Sequence, residues 1–264
     1  MGDYRQKYNP EGSLLRRQQL KMLELLLYID SICKTNGIKY WLSSGTLLGA
    51  KRHKGFIPWD DDLDIELLNK DYKKLIIILK ENCPDNYVLQ TYKSDKNYIQ
   101  PYAKLRDRDS TVHEKTDEDF DYKYKGIFID IFPLEKNYHF IFRISAILHN
   151  RLLTRVARGE YLKVCKKKFI KVFKFILLDL LYPCINFFGI IFYHGKYLNH
   201  TLGVSYFKRR SIHDLFPLKT ICFEGHEFPC PNNTHNYLTR IYGDYMTIPP
   251  LESIETHMVD IEFI

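Results

Sequence analysis

The stretch from Trp41 to Leu68, WLSSGTLLGAKRHKGFIPWDDDLDIELL, crowds four aspartates, Asp60, Asp61, Asp62 and Asp64, behind Pro58 and Trp59. From Asp62 to Leu67 charged and apolar residues alternate, with Leu63, Ile65 and Leu67 in one set and Asp62, Asp64 and Glu66 in the other. A period of two predicts a strand whose carboxylates leave one face. Side chains at i and i+2 then stand ~6–7 Å apart, from a rise of roughly 3.3 Å per residue. Two carboxylates so placed repel unless a cation lies between them. Hard oxygen donors with no His or Cys beside them select Mg2+ or Mn2+ over zinc, and Mg2+ so held takes phosphate oxygens among its other ligands. The plain alternative is a solvated acidic turn. The alternation with Leu63 and Ile65 weighs against it. So does Gly45-Thr46 upstream, where glycine allows close approach of a phosphate and a helix N-terminus offers free N–H groups.

Other candidates surround this set. Lys104 and Arg106, again i and i+2, could offer cations to phosphate oxygens, Arg106 as a bidentate fork, or simply form an exposed strand face. Arg52 and His53 precede the aspartates and could reach a nucleotide or a leaving phosphate. Trp59 could wall the pocket or pack the turn. Asp130 is the lone acid in the apolar run GIFIDIFP, and a buried charge there is costly unless paired or metal-bound. A salt bridge to Lys104 or Arg106 is its ordinary explanation, and both roles can hold at once. Cys222, His226 and Cys230 lie within nine residues but fit no zinc spacing, so no zinc is expected.

The elements that must position these residues follow from periodicity and punctuation. Ser13 to Thr35 reads as a helix ended by Asn36-Gly37. Ile38 to Ser43 reads as a strand, Thr46 to Lys51 as the start of a short helix, and Lys70 to Asn82 as a helix stopped by Cys83-Pro84. Tyr87 to Gln90, Tyr98 to Asp107 and Thr111 to His113 read as further strands, antiparallel, followed by an acidic loop, Asp117 to Asp121. Gly126 to Phe132 reads as a buried strand ending at Pro133. From about Tyr138 to Ser211 the chain turns helical, basic and apolar, and after Ser211 it returns to short mixed elements.

The 264 residues are 45% hydrophobic and carry a formal charge of +7. Nine Lys or Arg fall between Arg151 and Lys174 with one acid, Glu160, so the basicity is one patch. Such a patch suits an anionic membrane surface, a nucleotide or nucleic acid. The carboxylates argue against a nucleic-acid module, which would gain nothing from them. Six scattered cysteines without a CxxC pair, and a polar N-terminus, point to a reducing, cytoplasmic setting. The most apolar run, Phe169 to Tyr193, is interrupted by Lys171, Lys174, Asp179 and Pro183, which argues against a transmembrane span. Lys167, Lys171 and Lys174 share a helical face among aromatics. They could hold the protein peripherally on the inner face of the cytoplasmic membrane, or simply face water.

A strand, Gly-Thr and a helix, then a strand bearing Asp-x-Asp, resemble the nucleotidyltransferase superfamily. The fuller string GTLLGAKRHKGFIPWDDDLDI, with PYAKLRDRDST, GIFIDIFPLE and YLTRIYGDYMTIPP following in order, resembles the LicD/fukutin family. The resemblance implies an α+β fold, a nucleotidyltransferase-like mixed sheet flanked by helices, in one catalytic domain over residues 1–264. A helical basic insertion would occupy about 138–211. It implies a metal site at Asp62, Asp64 and Asp130, with Asp60 preceding it, and donor phosphate at Gly45 and Thr46. It further implies Mg2+- or Mn2+-dependent transfer of phosphocholine from CDP-choline to a sugar hydroxyl of a surface glycan, lipid-linked in some settings. Ribitol phosphate from CDP-ribitol, or a nucleotide, is the alternative cargo.

Overall fold

The computed structural model describes residues 4–114, 122–158, 166–250 and 258–263. The acidic loop expected at Asp117 to Asp121, and part of the basic window around Lys163, lie outside them.

The elements before the insertion are α1 (Tyr4–Tyr8), α2 (Leu14–Asn36), β1 (Tyr40–Leu42), α3 (Ser44–His53), β2 (Asp64–Leu68), α4 (Asn69–Asn82), β3 (Tyr87–Gln90), β4 (Ala103–Asp107), β5 (Ser110–Glu114) and β6 (Phe128–Glu135). The insertion holds α5 (His139–His149), a π-helical turn Asn150–Thr154, α6 (Arg155–Ala157), α7 (Lys166–Lys174), a second π-helical segment Phe175–Leu181, and α8 (Tyr182–Phe192). The chain then returns through β7 (Tyr197–His200), β8 (Arg210–Ser211), α9 (Ile212–Leu215), the hairpin β9 (Lys219–Phe223) and β10 (His226–Cys230), α10 (Thr234–Tyr242) and β11 (Met258–Phe263).

Helix α2 follows from its sequence. Ser13 Oγ accepts from the Arg16 amide at 3.2 Å, and Gly37, at φ 61°, closes the other end in the left-handed region. Met22, Leu25, Leu26, Ile29 and Cys33 make its buried stripe against the sheet. The main sheet runs β1-β2-β6-β4-β3, with β7 on the far end of β6 and β8 beside β7. Strand β6 is central and every residue in it is buried. It pairs parallel with β2 and antiparallel with β4. This mixed sheet with flanking helices is the α+β, nucleotidyltransferase-like architecture expected from the sequence. Ile127, Ile129 and Ile131 turn to the core, with Leu63, Ile65 and Leu67 beside them.

The stretch expected to be helical from about Tyr138 to Ser211 ends in the strands β7 and β8, and three further boundaries depart from expectation for identifiable reasons. Strand β2 begins at Asp64, so Asp62 sits in the approach to the strand. Residues 98–102 are not strand, and β4 starts at Ala103. Strand β6 runs through Pro133 to Glu135. The Asp130 amide donates to Leu63 on the β2 side, so strand parity turns the missing donor of Pro133 the other way. On that side pairing with β4 ends at Ile131 and pairing with β7 begins at Leu134, so no ladder bond is lost.

Beneath the exposed end of β2, Glu66 ties five elements together. Its carboxylate accepts from Trp41 Nε1 (3.0 Å), Tyr237 Oη (2.9 Å) and Arg210 Nε and Nη2 (2.9 and 2.7 Å), with His200 Nε2 at 3.2 Å. Burial alone would raise its pKa. The Arg210 guanidinium, with His200, outweighs burial and holds it well below the usual carboxylate range. Its contribution to stability is therefore full above pH ~4.5, the unfolded value for a glutamate, and is lost as pH falls below it. Glu66→Ala leaves Arg210 buried and unpaired, and urea unfolding at pH 7 should show a loss of about 3–5 kcal/mol. The gap to the native protein should narrow in acid. An unchanged midpoint at pH 7 would show that the network holds nothing.

Candidate active site

The site is built at the end of β1. Ser44 adopts φ 46° as the chain turns into α3, and Gly45 follows. A Cβ on Gly45 would stand 2.9 Å from Asp60 Oδ2, so glycine is what lets the aspartate close against the turn. Thr46 is buried, and its hydroxyl accepts the Asp64 amide at 2.8 Å. It therefore fixes where β2 begins, a positional task that the sequence expectation of a phosphate cradle did not include. The loop before β2 hangs from two buried glutamines of α2. Gln18 donates to the Asp61 carbonyl at 2.8 Å, and Gln19 to the Asp60 carbonyl at 2.9 Å.

Across the sheet, Asp64 lies opposite Asp130 in the parallel register, and Lys104 lies opposite Asp130 on the other side. Strands so paired are about 4.8 Å apart. Lys104 Nζ stands 3.0 Å from Asp130 Oδ1 and 3.4 Å from Oδ2. The salt bridge weighed in the sequence is thus present, and it sits beside the acids. Burial raises the Asp64 carboxyl well above its ordinary range, and the charges of Asp62, Asp130 and Asp60 add to this. Asp60 is raised likewise, by burial first and then by Asp62 and Asp61. Asp130 is also raised by burial, with Lys104 opposing. The four carboxylates therefore share one field, which the nearby cations offset only in part.

Arg52 lies close enough to Asp60 to act on it electrostatically, while its Nη1 donates to the Tyr245 carbonyl at 3.2 Å. The His53 ring is held neutral, its pKa lowered to about 4 by burial and then by Arg52, so at pH 7 it has no proton to give as an imidazolium. Two expected contacts are placed elsewhere. Trp59 is buried between Tyr4 and Tyr8, with ring centroids at 6.0 and 5.5 Å, and packs the turn rather than walling the pocket. Arg106 is buried, with Nε on Gln90 Oε1 at 2.6 Å and Nη1 on the Gly126 carbonyl at 2.7 Å. Its fork braces the sheet, with the guanidinium 4.6 Å from the Phe128 ring centroid.

The sequence did not single out Tyr206 and Tyr242. Both are exposed at the surface, yet their hydroxyl pKa values are raised, by partial desolvation first and then by the nearby carboxylates, Tyr206 by Asp64, Asp130 and Asp62, and Tyr242 by Asp64, Asp60 and Asp62. Tyr206 approaches Phe132 at 5.7 Å, and Tyr102 lies 4.4 Å from the same ring. An aromatic rim thus faces the acids. Tyr242 lies inside the YGDY string, whereas Tyr206 lies in a stretch without a motif.

A strand, a tight Gly-Thr turn into a helix, and carboxylates on two adjacent strands define a nucleotidyltransferase-type domain. The family model for the LicD/FKTN/FKRP nucleotidyltransferase domain matches residues 37–173, and the chain belongs to that family. It is a phosphotransferase. It is 29% identical to the lipopolysaccharide cholinephosphotransferase LicD of Haemophilus influenzae, over 95% of this chain and 98% of that protein. Shorter matches join it to the human ribitol 5-phosphate transferase FKRP, 42% identical over 18% of this chain and 10% of that protein. The mouse ribitol-5-phosphate transferase FKTN is 39% identical over 26% and 15% respectively.

Thr46→Val should lower stability by about 1–2 kcal/mol, because the Asp64 amide loses its buried acceptor. It should cut turnover more than it raises KM, while Thr46→Ser restores both. Native kinetics in Thr46→Val would detach Thr46 from the placement of Asp64.

Proposed function

We propose that the chain transfers a phospho-alcohol, phosphocholine from CDP-choline, to a sugar hydroxyl of a cell-surface glycan of the lipopolysaccharide, teichoic acid or capsule type. The observation that carries this is the register of Asp64 against Asp130, with Asp62 and Asp60 in the same field. The near full-length likeness to a cholinephosphotransferase supports the cargo. The aromatic rim supports it too, since a quaternary ammonium is held by aromatic faces. Tyr102, Phe132, Tyr206 and Tyr242 stand where the cargo would lie if the phosphates face the acids.

The donor set fits an oxygen-seeking divalent cation. It contains carboxylates alone, and burial first, with their mutual repulsion adding to it, raises Asp60 and Asp64 well above the ordinary range. Among the described residues no three such side chains already converge to metal-binding distance, so the acids would have to draw in around the ion. Asp62 and Asp64, with Asp130 completing the set, would hold Mg2+ or Mn2+. When bound, it neutralises charge on the donor phosphates.

The chain's own groups do the rest. The turn at Gly45 offers backbone N–H groups to the phosphates, with Arg52 beside Asp60 as a neighbouring cation. The sugar hydroxyl attacks the phosphorus that bears choline. The new bond joins sugar oxygen to phosphorus, the bond from that phosphorus to the oxygen bridging to CMP breaks, and CMP leaves with the electron pair. Asp130 takes the hydroxyl proton, and Lys104 at 3.0 Å steadies that carboxylate.

Asp62→Asn and Asp64→Asn should each abolish turnover with the melting temperature held or raised, since each relieves repulsion. EDTA should silence the native enzyme, and Mg2+ or Mn2+ should restore it better than Zn2+. Near-native activity of either variant at low Mg2+ would sink the metal assignment. Thermal shift with Mg2+ should favour CDP-choline over CDP-ribitol, and Tyr206→Ala should erase that preference. A larger shift with CDP-ribitol would move the assignment to the second cargo.

A further inference from the structure

The insertion has a core of its own, formed by Phe142, Leu153, Leu177, Leu178 and Tyr182 with Ile99, Leu202 and Val204 of the body. What it leaves outside is unusual. From Lys168 to Phe192 the chain is one helix of 25 residues whose most apolar 18-residue window has mean hydropathy 2.0, ~38 Å long at 1.5 Å per residue. It presents Phe175, Leu180, Phe187, Phe188, Ile190 and Phe192 to solvent, with Ile190 64% and Phe187 60% exposed. Helix α5 adds Phe140, Ile144 and Ile147, an i, i+4, i+7 stripe with Phe140 63% exposed. The two helices meet where the Tyr138 and Tyr193 rings approach to 5.3 Å and the Tyr138 hydroxyl donates to the Phe192 carbonyl. Exposed apolar surface on this scale marks an interaction face.

We infer that this face seats in the interface of an anionic lipid bilayer, with the long helix lying in the membrane plane. Charge selects the occupant. From Leu180 to Phe192 the sequence has no ionisable acid or base but Tyr182 and Cys184, while exposed Lys168, Lys171, Arg143, Arg151 and Arg158 stand on the same insertion. A second copy would bring the same cations against them, whereas an anionic surface attracts them.

Packing selects the orientation. The length and hydropathy would also serve a span, contrary to what the interrupted sequence implied. But the helix is fastened at intervals, to the body through Lys174 and Asp179 and to α5 and the residues before it through Tyr182 and Gly189. Lys174, expected on a basic helical face turned to a membrane or to water, is buried with its ammonium on the carbonyls of Lys96 (2.9 Å) and Tyr98 (3.0 Å). Asp179 accepts from the Tyr92 hydroxyl at 3.1 Å. The Tyr182 hydroxyl donates to the Ser145 carbonyl at 3.1 Å, and a Cβ on Gly189 would stand 2.5 Å from the Lys136 carbonyl. A spanning helix would have to give up all of these, so the surface fits a monotopic seat. Because Tyr102 packs on the same core and on Phe132, the seat would bring the acids close to the bilayer.

The test is flotation of the full chain with vesicles of phosphatidylglycerol and phosphatidylethanolamine, and with phosphatidylcholine alone. The protein should float with the anionic vesicles, bind phosphatidylcholine less, and be released by alkaline carbonate. Phe187→Ser with Ile190→Ser should cut binding tenfold or more, and Lys168→Gln with Lys171→Gln should remove the preference for anionic lipid. Circular dichroism and melting temperature should match the native protein in both. Failure to float, carbonate-resistant insertion, undiminished binding by the folded apolar variant, or a dimer that the same variant dissociates would each overturn the inference. Donor turnover with a soluble sugar acceptor is read in parallel. The double serine variant should keep it, so a failed membrane seat and a failed transfer assignment give different results.

Discussion

Like charge held close on two neighbouring strands is the constraint around which the molecule is arranged. A parallel pairing of β2 with β6 sets Asp64 beside Asp130, and Asp62 and Asp60 approach from the loop. Each acid alone would be tolerable at a half-open sheet end. Together they raise one another's pKa, and the fold must supply fixed support that does not yield to the repulsion. It does so through the backbone. Thr46 holds the Asp64 amide, Leu63 holds the Asp130 amide, and Gln18 and Gln19 hold the loop carbonyls. None of these bonds neutralises a carboxylate, so the charge stays available to a ligand.

The same strand face carries the opposite solution two residues further on. Glu66 is as buried as a residue can be, yet its carboxylate is fully ionised because Arg210 and three other donors surround it. The contrast separates two uses of acid on one strand. At Glu66 the counter-charge comes from the protein and binds β1, β2, β7, β8 and α10 into one unit. At Asp64 the nearby cation is Lys104, and it is already engaged with Asp130. A one-residue slip of β2 would exchange these environments with those of Ile65 and Leu63, so the Glu66 network also fixes the register on which the site depends.

Much of this was legible in the sequence because it rests on period-two patterning. The alternation from Leu63 to Leu67 gave the strand and its faces, and a lone acid in an isoleucine run placed Asp130 on the polar side of its own strand. What escaped depended on contacts between distant segments. Nothing local distinguishes Gln18 and Gln19 from surface residues of α2, although both are buried under the aspartate loop. Arg106 carries the same signal as Lys104, yet Gln90 and the Gly126 carbonyl claim it. Lys174 belongs to a basic run but points inward, since three backbone carbonyls at the end of an irregular loop need a donor. Periodicity reports which residues share a face, not which partner that face will meet.

The insertion shows how a site and a surface can be joined without a shared core. The body packs through the leucines and isoleucines of α2, α3 and the sheet, while the helices after β6 pack through Phe142, Leu177 and Tyr182. The two cores touch through residues 98–102 and 198–206, the segments that deliver Tyr102 and Tyr206 to the rim of the carboxylates. Here the chain enters strand geometry later than its composition implied. Had residues 98–102 continued β4, Ile99 and Tyr102 would have been locked to alternate faces of the sheet. Staying off the ladder frees Ile99 to anchor the insertion while Tyr102 lies on Phe132. The irregular backbone therefore couples the orientation of the helical face to the orientation of the rim, and a tilt of one must move the other.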